Sequence, residues 1–193
     1  MTRPAALDDL LRPAALLGLV GAALALGAPA PAGSAGPVPA SQCRAGERVI
    51  YSCRFGPPAR PAIGSICWRA AAVHYRYGPP GRPAIDLAST ADWSNIHTGH
   101  VRGQGAGGYQ EHVRFTNGQT DYIVFRGQDG ALASRPGRTY SGIAVQGPTV
   151  GERTLACRAG ATLAPSLVEA VTRLAPPEAE LGETPDGPFD AWF

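Results

Sequence analysis

The chain has 193 residues, the size of one domain, with 44% hydrophobic residues and a formal net charge of +2, so it is neither a disordered chain nor a polybasic one. Its 25 Gly and 19 Pro exceed ordinary usage, which suits many short strands joined by turns, or a domain with loose ends. Every basic residue is Arg, and residues 41–160 hold 14 of the 17, whereas residues 161–193 hold one Arg against six acids; a basic body is followed by an acidic tail.

Residues 14–28 (AALLGLVGAALALGA) form an apolar run behind Arg3 and Arg12. The run is too short to span a bilayer and has the length of a signal-peptide core. Val38-Pro39-Ala40 before Ser41 reads as an A-x-A-like cleavage site. The expected division is therefore a signal peptide and Pro-rich cleavage region over 1–40, an antiparallel β domain over 41–160, and a short helix with an acidic, disordered tail over 161–193. No membrane span is expected after cleavage, and the expected location is periplasmic or secreted.

Four cysteines, Cys43, Cys53, Cys67 and Cys157, lie beyond that cleavage site. An even count in an exported chain predicts two disulfides. No C-x2-C pair is present, which argues against zinc. Cys53 and Cys67 lie in consecutive strand-like runs, so they are placed to staple a hairpin and leave Cys43 to Cys157. The crossed arrangement, with Cys53 bound to Cys157, satisfies the same pattern, and spacing does not choose between them.

From residue 41 onward the pattern is β. Residues 48–53 (RVIYSC) read as a strand, and residues 65–68 and 73–77 as one bent strand or two short ones. Residues 83–87 are short and extended, and 93–101 form a further strand. Residues 109–115 (YQEHVRF) alternate cleanly, and Asn117-Gly118 supplies a hairpin turn because both residues tolerate positive φ. Residues 121–126 (DYIVFR), 138–145 and 153–157 complete the set. About eight short antiparallel strands predict a mainly β fold, a small barrel or sandwich. Residues 165–174 (PSLVEAVTRL) carry apolar residues at helical spacing behind Pro165 and read as a short C-terminal helix.

Two internal echoes punctuate this pattern. Residues 54–63 (RFGPPARPAI) and 76–85 (RYGPPGRPAI) differ at two positions. Gly-Pro-Pro stops a strand, because proline fixes φ and donates no N–H, and Arg-Pro restarts an extended segment. The echo reads as one turn used twice, placing Arg60 and Arg82 at the same end of the sheet as a candidate binding pair. Gly46-Glu47-Arg48 before Cys53, and Gly151-Glu152-Arg153 before Cys157, place a turn, a strand and a cysteine at both ends of the body. First and last strands lying side by side would close the sheet and remove its edges.

Candidate chemistry gathers around residues 103–108 (GQGAGG). A phosphate-cradling loop should follow a strand and open a helix; here a β alternation follows, so the loop is read as a hairpin tip that contacts a partner. Gly103, Gly105, Gly107 and Gly108, with His97, His100, Arg102 and Tyr109, form the expected contact surface. If Val101 faces Glu111 across the hairpin, His100 faces His112, and two imidazoles are placed to share a metal. A metal-dependent hydrolase using His97, His100 and His112 is thus the enzymatic alternative, with Asp92 or His74 needed as a further ligand. No G-x-S-x-G elbow is present, and no two carboxylates stand out for glycoside chemistry.

The strings VIYSCRF, GSICW, YRYGPPGRPAIDL, GGYQEHVRFTNG, YIVFRG, YSGIAV and RTLACR resemble, in order and spacing over residues 48–158, a set of small exported bacterial β proteins that carry no assigned activity. Tyr51-Ser52-Cys53 with the late Cys157 is also similar to the early Y-x-C and late cysteine of the small-barrel bacterial inhibitors of c-type lysozyme. The basic body departs from that second family, since such lysozymes are themselves basic and favour acidic partners. The resulting expectation is a non-catalytic binding or inhibitor-like protein of the bacterial cell envelope, needing no cofactor. Its partner would be an envelope protein, a glycan or an anionic lipid, and not a nucleic acid. A structural envelope protein is the remaining alternative.

Overall fold

The computed structural model describes residues 41–102, 106–158 and 161–182. The expected signal segment and the last residues of the acidic tail lie outside these. Among the described residues, ten strands and one helix follow in chain order: β1 Arg48–Phe55, β2 Ala62–Arg69, β3 Ala72–Gly78, β4 Ile85–Ala88, β5 Ile96–Arg102, β6 Tyr109–Asn117, β7 Thr120–Gln128, β8 Thr139–Gly147, β9 Gly151–Ala156, β10 Thr162–Leu163 and α1 Leu167–Thr172. They form two five-stranded sheets, ordered β10-β1-β2-β3-β4 and β5-β6-β7-β8-β9, with every pairing antiparallel.

The expected mainly β fold is present, and it is sandwich-like rather than a closed barrel. Alternation along each strand sends one set of side chains inward. Tyr75 of β3, Phe115 of β6, Val124 of β7 and Ile143 of β8 belong to one buried cluster between the sheets. The sheets approach closely at Gly64, where an added Cβ would collide with the side chains of Ile143 and Phe55. A bulge between Val49 and Tyr51 breaks the alternation of β1, so Ile50 and Tyr51 are both buried.

The first and last long strands are not laddered. β9 pairs with β8, and β1 takes the two-residue β10 as its outer neighbour. The chain just after β9 is tied to β1 by a backbone bond, Arg158 N–H to Arg54 O at 3.0 Å, and by a disulfide between Cys53 and Cys157, ahead of the β10 pairing and the Ala164 N–H to Ile50 O bond at 3.0 Å. The second disulfide is Cys43–Cys67, so the hairpin staple Cys53–Cys67 is overturned in favour of the crossed arrangement. The register explains why. Cys53 faces Gly64 and Cys67 faces Val49, which separates the two cysteines by roughly 10 Å along the ladder, beyond disulfide reach.

Residues 65–68 and 73–77 belong to two strands of a tight hairpin, not one bent strand. Arg69 faces Ala72, and the loop residues Ala70 and Ala71 take φ of 51° and 66°. Both loop positions have positive φ, as a type I′ turn requires. Both echoed segments close a four-residue turn, Arg60 N–H donating to Pro57 O at 2.9 Å and Arg82 N–H to Pro79 O at 3.0 Å, but the two turns differ in type, since Gly81 has a positive φ and Ala59 does not. Gly81 takes φ +71°, as the third position of a type II turn demands. Because β1 and β3 run in the same direction on either side of β2, both turns lie at one end of the first sheet, with Arg60 and Arg82 exposed.

The segment before β1 straps the outer face of the first sheet. Gln42 is 5% exposed; its amide donates to the carbonyls of Gly78 and Pro79 at 3.0 and 2.7 Å. Beside it the Arg76 side chain, fully buried, holds Glu47 at 3.0 Å and Asp86 at 2.9 Å. At the far end, α1 packs against β6, β1 and β5 with Leu167 and Val171 buried. Ser166 caps it by accepting from Glu169 N–H at 3.1 Å. Residues 175–182, expected as part of the tail, return to the second sheet, where Leu181 O accepts from Thr98 N–H at 2.6 Å.

Candidate functional site

Along the second sheet the inner face changes character. β6 runs from Phe115 and Val113, which are buried, to Glu111 and Tyr109 on the same side. β5 runs from Ile96 and Thr98 to His100 and Arg102, and β7 from Tyr122 and Val124 to Arg126. The registers His100–Glu111 and Arg102–Tyr109, with Glu111–Arg126, bring these polar side chains together at one end of the sandwich. Here His100, Arg102, Gly107, Gly108, Tyr109, Glu111, Pro165 and Ser166 enclose a cleft of about 360 Å³.

The floor of the cleft ties α1 to the sheet. The Glu111 carboxylate accepts from Ser166 Oγ and Leu167 N–H, each at 2.8 Å, and from Val168 N–H at 3.4 Å. Arg126 lies 3.3 Å from the same carboxylate. It also donates to Ala164 O at 2.7 Å, Pro165 O at 2.8 Å and the Tyr109 hydroxyl at 2.8 Å. Both charges are thereby committed to the fold, as charges this buried must be. Ser166 Oγ gives its proton to Glu111 and accepts from the helix backbone, so no histidine activates it as a nucleophile.

The mouth is different. Arg102 is exposed and donates through Nε to His100 Nε2 at 2.9 Å. Among the described residues no carboxylate pairs with it. The His100 ring meets Tyr109 edge-on, with centroids 6.3 Å apart. Ala106 and Gly107 turn the chain with φ of 57° and 95°, and Ala106 O is held by Ala131 N–H at 3.0 Å. The arrangement presents one cation, an aromatic edge and adjacent glycine backbone to a ligand.

Of the residues expected here, the structure therefore gathers His100, Arg102, Gly107, Gly108 and Tyr109. Gly103 and Gly105 lie outside the described residues. His97 does not join them; it points to the other side of the sheet, where its Nδ1 lies 3.3 Å from Gly182 O. Arg60 and Arg82 belong to the first sheet's turns.

The histidine register is one residue away from the expected one. His100 faces Glu111, and His112 faces Gly99, so His100 and His112 project to opposite faces, because side chains alternate along a strand. His112 is 1% exposed, and burial, with Arg114 nearby, lowers its pKa to about 4. His74 is bound to Asp86 at 3.1 Å in the first sheet. Asp92 folds back on Ser94, accepting from its N–H at 3.1 Å and its hydroxyl at 2.9 Å. Among the described residues, the ligand-type atoms that converge are those of Cys43, Glu47 and Cys67. Both of those sulfurs are in a disulfide, which leaves no ligand set for a metal.

Glu111, Arg126 and Ser166 were missed by the sequence reading. Ser166 and Glu169 form the S-x-x-E pattern of a capped helix, a usable signal. Nothing local marks Arg126, whose role depends on a chain segment 38 residues away. Comparison with protein-family models, with curated proteins and with solved structures finds no match for this chain.

Proposed function

We propose that the protein is a non-catalytic binding protein of the bacterial cell envelope, and that the polar cleft is its contact surface for an anionic glycan. The observation that carries this reading is Arg102, an exposed guanidinium with no acidic partner among the described residues, set beside Tyr109 at the rim of the cleft. A guanidinium pairs with a sugar carboxylate in bidentate fashion, and the Tyr109 ring and glycine backbone leave room for the C–H face of a sugar ring. The two disulfides support an oxidising, extracytoplasmic setting, and no described helix is long and apolar enough to cross a membrane.

Isothermal titration with polygalacturonate and with neutral dextran tests the proposal. Saturable binding of the acidic polymer alone is expected, with affinity reduced about tenfold by Arg102→Ala. Equal binding of both polymers, or none of the acidic one by a folded protein, overturns it.

A further inference from the structure

A second cleft opens on the other flank of the sandwich, between β3 and β4 of one sheet and β7, β8 and β9 of the other. Its volume is about 370 Å³. Tyr75 and Ile143 form its depth and are 1% and 0% exposed. Tyr77 and Tyr122 form its walls, and the Tyr75 and Tyr122 rings lie 5.6 Å apart. Leu155 and Arg153 stand at its rim. At roughly 30 Å³ for each water-sized group, the space holds on the order of a dozen heavy atoms.

Two polar features within these apolar walls lack partners among the described residues. The first is the hydroxyl of Tyr75, whose side chain is buried and lines the cleft. It makes no hydrogen bond to a described residue, although the hydroxyl of a buried tyrosine ordinarily finds one. Burial and the neighbouring phenols of Tyr77, Tyr51 and Tyr122 hold its pKa well above the usual value, so it stays a neutral donor. The second is Arg153. The registers Arg153–Val145 and Leu155–Ile143 turn both residues inward, while Glu152 and Thr154 between them face outward. Arg153 is the charged residue of the lining, and among the described residues no acid pairs with it.

We propose that this cleft binds a small planar aromatic carboxylate that carries a hydrogen-bonding group at its far end. The carboxylate meets Arg153 at the rim, the ring lies between the Tyr77 and Tyr122 side chains, and the distal group accepts from the Tyr75 hydroxyl. A plain alkyl chain of the same size would leave that hydroxyl unpaired, which is the costly outcome for a buried polar group. The site is separate from the polar cleft and stands or falls independently of the glycan reading. Its mixture of apolar walls and a few convergent polar groups is the usual composition of a small-ligand pocket.

Calorimetric titration of the full chain with para-hydroxycinnamate, cinnamate and decanoate decides the matter. The expected result is saturable one-to-one binding of para-hydroxycinnamate, tighter than cinnamate by about tenfold, with decanoate weakest. Arg153→Gln, on the exposed rim, is expected to weaken both aromatic acids by about tenfold. Tyr75→Phe should reduce para-hydroxycinnamate to the level of cinnamate and leave cinnamate unchanged. Absence of saturable binding by the wild-type protein overturns the proposal, as does undiminished affinity in Arg153→Gln. Tighter binding of decanoate than of para-hydroxycinnamate overturns the aromatic assignment; should Tyr75→Phe fail to fold, the Arg153→Gln arm still decides.

Discussion

The two clefts have nearly equal volumes, about 360 and 370 Å³, and opposite construction. The polar one is assembled by charges: Glu111 and Arg126 spend their hydrogen-bonding capacity seating α1, and a single exposed guanidinium is left for a ligand. The aromatic one is assembled by packing, with tyrosine rings from both sheets and a wall supplied by the edge strand β9. In the first, removal of a charge dismantles the cleft. In the second, loosening an edge does so. The residues lining the two clefts do not overlap, so each is open to test without the other.

The largest test of that separation is the disulfide behind β9. Cys53–Cys157 closes a span of 104 residues, and replacing both cysteines by Ala is expected to cost about 4–5 kcal/mol on the chain-entropy account. Cys43–Cys67, spanning 24 residues, should cost about 3 kcal/mol. Urea denaturation measures both. Loss of the first should weaken aromatic-acid binding more than glycan binding; the reverse order would break the comparison.

Glu111→Ala comes next, at about 3 kcal/mol, because it strands Arg126 and frees the start of α1. Glycan binding should fall with it while para-hydroxycinnamate binding persists, which parallel titrations of the variant would show.

Acidification follows. The pKa of His112 is lowered by burial to about 4, against about 6.5 in the unfolded chain. The unfolded state therefore takes up the proton first, and stability falls as pH drops from 6.5 towards 4, by about 2 kcal/mol at pH 5. Glu47 is held low chiefly by its hydrogen bond from Arg76. Burial works against Asp86, yet the bonds from Arg76 and His74 leave it lowered. These two carboxylates add a further loss below the ordinary carboxylate range. Thermal denaturation against pH measures the sum, and His112→Gln should flatten the upper part of the curve. The smallest effect is Arg102→Ala, under about 0.5 kcal/mol in stability with glycan affinity reduced about tenfold, since this side chain supports nothing but the mouth.

Much of the sandwich was legible because its signals are local. The alternation of residues 109–115 identified β6, the apolar run 121–126 gave its return strand β7, and Asn117-Gly118 marked their turn to within one residue: Asn117 pairs with Thr120, leaving Gly118 and Gln119 as the loop. The β2–β3 hairpin was ambiguous because its turn is Ala70-Ala71. Alanine carries no turn signal, and the positive φ it adopts is imposed by the strands on either side. The polar cleft was half legible. Tyr109 and Arg102 flank a recognisable loop, but the facing of His100 and His112 depended on register, where a shift of one residue reverses every side chain. The aromatic cleft was invisible, since Tyr75, Tyr122 and Arg153 meet only when two sheets stack.

The disulfide pattern also sets an order of events. Any chain that emerges from its N-terminus exposes Cys43, Cys53 and Cys67 long before Cys157. Cys43 and Cys67 find each other within the first sheet, leaving Cys53 as a waiting thiol whose lawful partner has not yet appeared. Its two early neighbours are the wrong ones, and the closing bond depends on nearly the whole domain having arrived. An oxidant that acts on the first three cysteines alone therefore has no native partner to offer Cys53.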